Sequence, residues 1–115
     1  MNYYIMPGLL KKNEVRITLS PNDLIQAVAS TFEVSVNDML GPTRPARLII
    51  PRYITMYIMR KRNLMCLKDI GNIFNRDHTS VIHAIQNVRN MLDTKDPVFL
   101  HNLAILRDKT GIEIK

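Results

Sequence analysis

The chain has few of the residues from which metal centres, disulfides and catalytic sites are built. It contains one cysteine, Cys66, and three histidines without cysteine or carboxylate neighbours at metal-ligand spacing, so neither a disulfide nor a zinc site is expected. Its acidic residues do not cluster as those of a nuclease or transferase site would. None of its four glycines is followed by lysine, which excludes the nucleotide-binding motif G-x-x-x-x-G-K-[ST]. We therefore expect neither an enzyme nor a cofactor.

Long apolar runs are missing as well. No stretch is long enough to cross a bilayer, and residues 1–10 have neither the charged start nor the long apolar core of a signal peptide. A chain of 115 residues provides one domain with a modest core. We expect a cytoplasmic protein without a membrane partner.

Helix signals recur along the chain. Capping residues and prolines predict helices that begin at Ser20-Pro21, Ser35, Pro51 and Asp96-Pro97, the last of them ending near Gly111. The third of these is apolar through Met59, which is typical of a central buried helix. We expect an all-α, compact bundle of about five to six helices over residues 19–115, after an N-terminal arm or linker over residues 1–18.

A helix-turn-helix is predicted inside this bundle. Leu67, Ile70 and Phe74 form a short apolar face, Gly71 stands where two helices could cross closely, and Asn75 marks a turn. The next helix carries one apolar stripe, made of Val81, Ala84, Ile85, Val88 and Leu92. Its polar first turn is left free to project, and the unpaired amides there suit phosphate oxygens.

Acidic residues are absent from a central window of the chain. Between Asp38 and Asp69 there is none, and the basic residues of the window include Arg44, Arg47, Arg52, Arg60, Lys61 and Arg62. The formal net charge is +6, so this window concentrates positive potential on one part of the fold. A solvated basic face would account for such a block, but beside a helix-turn-helix it favours a polyanionic partner.

Residues 67–88, LKDIGNIFNRDHTSVIHAIQNV, resemble the signature of the C-terminal DNA-binding domain of the bacterial replication initiator DnaA. Residues 76–81 together with His83 and Ala84 match its R-D-H-T-[TS]-V-x-H-A core, and residues 50–57, IPRYITMY, resemble its P-R-x-x-x-M-Y helix. The likeness spans residues 22–107 in the same element order. Two positions depart from the pattern: Asn75 alone replaces the glycine turn, which is one residue shorter here, and Tyr53 stands where glutamine is common.

The resemblance implies sequence-specific binding of double-stranded, A·T-rich DNA at sites like the initiator's origin boxes. It places a recognition helix in the major groove and a basic loop in the minor groove, and it implies a regulator or accessory factor in replication initiation. The implied DNA contacts are Arg44, Arg47, Arg52, Arg60, Lys68, Arg76, Asp77, His78, Thr79 and Ser80. No nucleotide partner is expected, because the chain is too short to hold an ATPase domain as well.

Individual roles follow from the chemistry of these side chains. Arg44 or Arg47 enters the minor groove, and Arg52, Arg60 and Lys68 neutralise phosphates. Asp77 is expected both to cap its helix and to accept a hydrogen bond from a cytosine amino group. The remaining alternatives are a protein-interaction module that uses residues 1–18 for its partner, and a transcriptional regulator encoded by a phage or prophage.

Overall fold

Six α-helices and one short 3₁₀ turn form the part of the chain that the computed structural model describes, residues 20–112. The helices are α1 (Pro21–Thr31), α2 (Val36–Leu40), α3 (Ile49–Lys61), α4 (Leu67–Phe74), α5 (His78–Asp93) and α6 (Pro97–Thr110), with the 3₁₀ turn at Ala46–Leu48. No strand occurs in these residues, so the predicted all-α bundle is confirmed. The arm predicted over residues 1–18 lies outside the described residues.

Side-chain caps set the beginnings of α1, α2, α5 and α6, as predicted. The Asp23 amide donates to Ser20 Oγ over 3.1 Å and the Asp38 amide to Ser35 Oγ over 3.0 Å. At the start of α6, the Phe99 amide donates to a carboxylate oxygen of Asp96 over 3.0 Å. These amides lack a partner within their own helix, and each cap is worth about 1 kcal/mol. Because a cap is a local contact, these starts can be located from the sequence.

The predicted start of α3 at Pro51 is wrong by one half-turn. The helix begins at Ile49, which places Pro51 at its third position. Proline is tolerated there because the first amides of a helix donate to no carbonyl of that helix. Just before α3, Arg47 lies in the 3₁₀ turn, although the resemblance placed it in a loop.

The buried helix α3 is the centre of the molecule. All of residues 51–59 except Tyr53 are buried, including Arg52 and Thr55. Helices α1, α4 and α5 pack around it, and α6 closes the far side against α1. The side chains that meet in this core include Leu24, Val28, Met39, Ile54, Phe74, Val81, Val88 and Leu106. Burial of each larger apolar side chain stabilises the fold by about 1.5–3 kcal/mol, so α4 and α5 rest on a rigid platform.

Candidate nucleic-acid interface

The turn between α4 and α5 consists of a single left-handed residue. Asn75 has φ 56° and ψ 44°, and asparagine is one of the few residues other than glycine that adopt this conformation readily. Its amide donates to Asn72 O over 3.3 Å, and the Arg76 amide donates to Gly71 O over 2.8 Å. A single left-handed residue is therefore sufficient to end α4 in the usual way, and the shorter turn needs no glycine.

Gly71 lies against the backbone that enters α5. A Cβ atom at this position would stand 2.5 Å from the carbonyl oxygen of Arg76 and 3.4 Å from the carbonyl carbon of Asp77. No side chain fits such a gap without moving the backbone. The close approach predicted at Gly71 is confirmed, and it fixes the distance between the two helices of the motif.

Asp77 caps α5, as predicted. One of its carboxylate oxygens accepts from the Ser80 amide over 2.9 Å. The hydrogen bond from the Ser80 backbone is the main reason that the pKa of Asp77 lies below its usual range, and the Ser80 hydroxyl and His78 lower it further. Because the folded-state pKa is lowered, the cap stabilises α5 at neutral pH. That contribution is lost as the pH falls through the lowered pKa.

The first turn of α5 presents polar side chains to solvent. His78, Thr79 and Ser80 are all exposed, and the buried side of the helix begins with Val81. Arg76, another of the implied DNA contacts, does not belong to this turn. The structure places it before the cap, half-buried, with its guanidinium donating to Phe74 O over 2.8 Å.

The two arginines of the basic loop, residues 42–47, differ in their partners. Arg47 lies 3.5 Å from a carboxylate oxygen of Asp38, and both side chains are largely exposed. An exposed pair of this kind adds little stability, but it occupies the Arg47 guanidinium. Arg44 is exposed and makes no hydrogen bond or salt bridge to any residue between 20 and 112.

Arg52 does not lie on the surface where a phosphate contact was expected. It is 4% exposed, and its guanidinium donates to Met39 O over 2.8 Å, to Asp38 O over 2.8 Å and to Gly41 O over 3.0 Å. Burial is the largest cause that lowers the pKa of Arg52, followed by the positive charges of Arg76 and Arg44. The interior carbonyls of α2 thus replace phosphate as the partners of this side chain.

A cleft of about 300 Å³ separates the start of α3 from the start of α5. Its lining consists of Arg44, Ile49, Arg52, Tyr53, Met56, Arg76, Ser80 and His83. The lining thus combines three arginines with the apolar side chains of Ile49, Tyr53 and Met56. Ile49, Tyr53 and Met56 were not predicted as site residues, although their spacing of four and three residues places them on one side of a helix.

Two predicted contacts, Arg60 and Lys68, lie apart from the cleft. Both are exposed, Arg60 in the last turn of α3 and Lys68 in the first turn of α4. With a rise of about 1.5 Å per residue, Arg60 stands about 12 Å along the helix axis from Arg52. Among the predicted DNA contacts, exposed basic side chains therefore lie both beside the cleft, at Arg44, and away from it, at Arg60 and Lys68.

Residues 20–112 contain neither a candidate metal site nor a membrane-spanning helix. No group of three or more histidine, cysteine, aspartate or glutamate side chains in that range could hold a metal ion. None of the helices described there is long and apolar enough to cross a membrane.

Known proteins resemble this chain over the same helices. A family model described as the bacterial dnaA protein helix-turn-helix matches residues 21–88. The chain is 36% identical over 84 residues to the chromosomal replication initiator protein DnaA of Bifidobacterium animalis subsp. lactis, covering 72% of this chain and 14% of that protein. The DnaA of Crocosphaera subtropica is 37% identical over 98 residues, covering 84% of this chain and 21% of that protein. The chain therefore spans about a fifth or less of the length of these relatives.

Proposed function

Because the chain belongs to the family of the bacterial DnaA helix-turn-helix, we propose that it binds double-stranded DNA at sites like the origin boxes of chromosomal replication initiators. The observation that carries the proposal is the capped, exposed first turn of α5 beside a cleft with three arginines. In this role the chain regulates replication initiation or assists it. No catalytic step and no bound nucleotide belong to the proposal.

In the major groove, the first turn of α5 reads base edges. The Asp77 carboxylate accepts a hydrogen bond from the Ser80 amide, and an ionised carboxylate has the capacity to accept further hydrogen bonds. Among the bases, cytosine presents the N4 amino donor that suits it in the major groove. His78 and Thr79 are exposed one and two residues further along the helix, and they contact the neighbouring bases.

In the minor groove, Arg44 is the arginine that reads the site. It has no ion-pair partner within residues 20–112, whereas Arg47 is paired with Asp38. A narrow A·T-rich minor groove has an enhanced negative potential that attracts an unpaired guanidinium. With the loop in one groove and α5 in the next, the DNA strand between them runs across the cleft. Arg76, Ser80 and His83 face that strand.

Binding to DNA should depend strongly on salt. With about four phosphates neutralised, the logarithm of the association constant should fall with the logarithm of the salt concentration at a slope near −3.6. Between about 50 and 200 mM salt, the dissociation constant should then rise about 150-fold. Fluorescence anisotropy with a duplex selected from a randomised pool measures the slope, and a slope of zero would contradict the proposed function.

Arg44→Ala and Arg47→Ala should have different effects on sequence preference. Arg44→Ala should reduce the discrimination between A·T and G·C pairs at one end of the site by about fivefold or more. Arg47→Ala removes an arginine that is already paired. It should therefore leave that discrimination unchanged and slightly lower the affinity of the chain for all duplexes. Competition binding with duplexes that differ only at that end compares the two variants. If the discrimination follows Arg47 instead, the assignment to Arg44 is wrong.

A further inference from the structure

The C-terminal carbonyls of α2 are held by side chains from two other elements. Nothing inside a helix donates to its last carbonyls, and here Asp38 O, Met39 O and Gly41 O accept from Arg52 of α3 over 2.8–3.0 Å. The remaining one, Leu40 O, lies 3.5 Å from the side-chain nitrogen of Asn75. The end of α2 is thereby joined both to α3 and to the turn that begins the recognition helix.

The chemistry of arginine is required for this arrangement. A guanidinium presents several N–H donors in a rigid plane, whereas a lysine ammonium is a compact charge on a flexible stem. Hydrogen bonds from a charged donor are stronger than neutral ones, and breaking them in a buried position leaves both partners unsatisfied. Arg52 is 4% exposed, so water does not replace the lost partners.

The same contacts hold one end of the basic loop. Gly41, which accepts from Arg52, immediately precedes the loop, and Leu48, which follows it, is fully buried. Between these anchors, Pro42 and Pro45 each restrict the backbone further. Arg44 therefore stands midway along a short segment that is fixed at both ends.

We propose that Arg52 is a positioning residue that sets the placement of the basic loop relative to α5, and so the register in which the two grooves are read. The inference rests on the proposed DNA binding, and it assigns Arg52 a role distinct from neutralising phosphate. The basic loop and α5 are separate in the chain, and both are connected to the end of α2. The loop follows Gly41, which accepts from Arg52, and the turn before α5 contacts Leu40 O through Asn75. Loss of the Arg52 hydrogen bonds releases the loop end while α5 keeps its cap and its packing.

Two substitutions at position 52 separate the hydrogen bonds of this side chain from its charge. Arg52→Lys keeps the charge and cannot reach three carbonyls at once. Arg52→citrulline, made by semisynthesis, keeps planar N–H donors and removes the charge. If Arg52 positions the loop, the lysine variant should bind the selected duplex about tenfold or more weakly and lose the A·T preference, with the salt slope unchanged. The citrulline variant should keep that preference.

Arg107→Lys serves as the control, because Arg107 is an exposed arginine of α6 that is not among the predicted DNA contacts. The affinity of this variant should stay within about twofold of that of the original chain. If Arg52→Lys behaves like Arg107→Lys and citrulline abolishes binding, Arg52 acts through its charge and the inference is overturned. Thermal melting shows whether each variant is folded. Should Arg52→Lys not fold, the citrulline variant alone decides by keeping or losing the A·T preference.

Hydrogen exchange separates a failure of this inference from a failure of the proposed function. If the original chain binds no duplex, the DNA-binding proposal fails, and positioning is then tested without DNA. The Gly41 amide donates to Asp38 O over 3.2 Å and the Leu48 amide to Pro45 O over 3.0 Å, one at each end of the loop. Both amides should exchange about tenfold faster in Arg52→Lys than in Arg107→Lys. Equal exchange in the two variants would overturn the positioning role.

Discussion

Gly71→Ala is expected to lower the free energy of unfolding by about 2–3 kcal/mol, as is typical of an overpacked interior. The added Cβ would stand 2.5 Å from the carbonyl oxygen of Arg76, which is backbone and cannot rotate away. At an ordinary helix position the same change would stabilise the helix by about 1 kcal/mol, so even the sign of the effect is diagnostic. Urea denaturation followed by circular dichroism measures it.

Asn72→Ala is the control for this effect. Asn72 is the next residue of α4, and its side chain is exposed, so alanine there adds helix propensity without a close contact. A slight stabilisation, a few tenths of a kcal/mol, is expected. If Gly71→Ala stabilises the chain as well, α4 and α5 can separate freely, and the fixed geometry of the motif is refuted.

Replacing Asp77 should change base discrimination more than any other substitution in α5. Asp77→Asn keeps a capping oxygen and removes the charge, so it should increase the general attraction of the chain to DNA. The amide oxygen is a weaker acceptor than a carboxylate for the cytosine amino group, and discrimination at that base pair should fall about tenfold or more. Competition between the selected duplex and its single-pair variants gives the ratio directly.

Asp96→Ala provides the matched control for the capping function. Asp96 caps α6 with the same kind of contact, because its carboxylate accepts from the Phe99 amide over 3.0 Å. It lies outside the recognition turn. Its loss should lower the free energy of unfolding by about 1 kcal/mol and leave base discrimination unchanged. If Asp77→Asn also leaves discrimination unchanged, Asp77 is only a cap, and base reading belongs to His78, Thr79 and Ser80.

Local contacts explain why so much of the fold could be predicted. The Ser20, Ser35, Asp77 and Asp96 caps each bond an amide three residues away, and the apolar stripe of α5 follows the helical repeat. Such features are present within a few consecutive residues. The tight approach at Gly71 was predictable for a similar reason, because the second helix begins only a few residues later.

Arg52 shows where prediction from sequence fails. It stands in a block of basic residues without acids, which is typical of a surface that binds an anion. Its partners are three main-chain carbonyls that lie 11–14 residues earlier in the chain. Main-chain acceptors have no residue-type signature, and the approach of α2 to α3 depends on the packing of the whole core. The cleft beside it was missed because it forms only when α3 and α5 meet.

The left-handed turn at Asn75 also limits which residues can occupy that position. Glycine, asparagine and aspartate adopt the left-handed region readily, whereas a β-branched residue there is strained. With φ 56° at Asn75, valine, isoleucine or threonine at this position would strain the only residue that separates α4 from the chain entering α5.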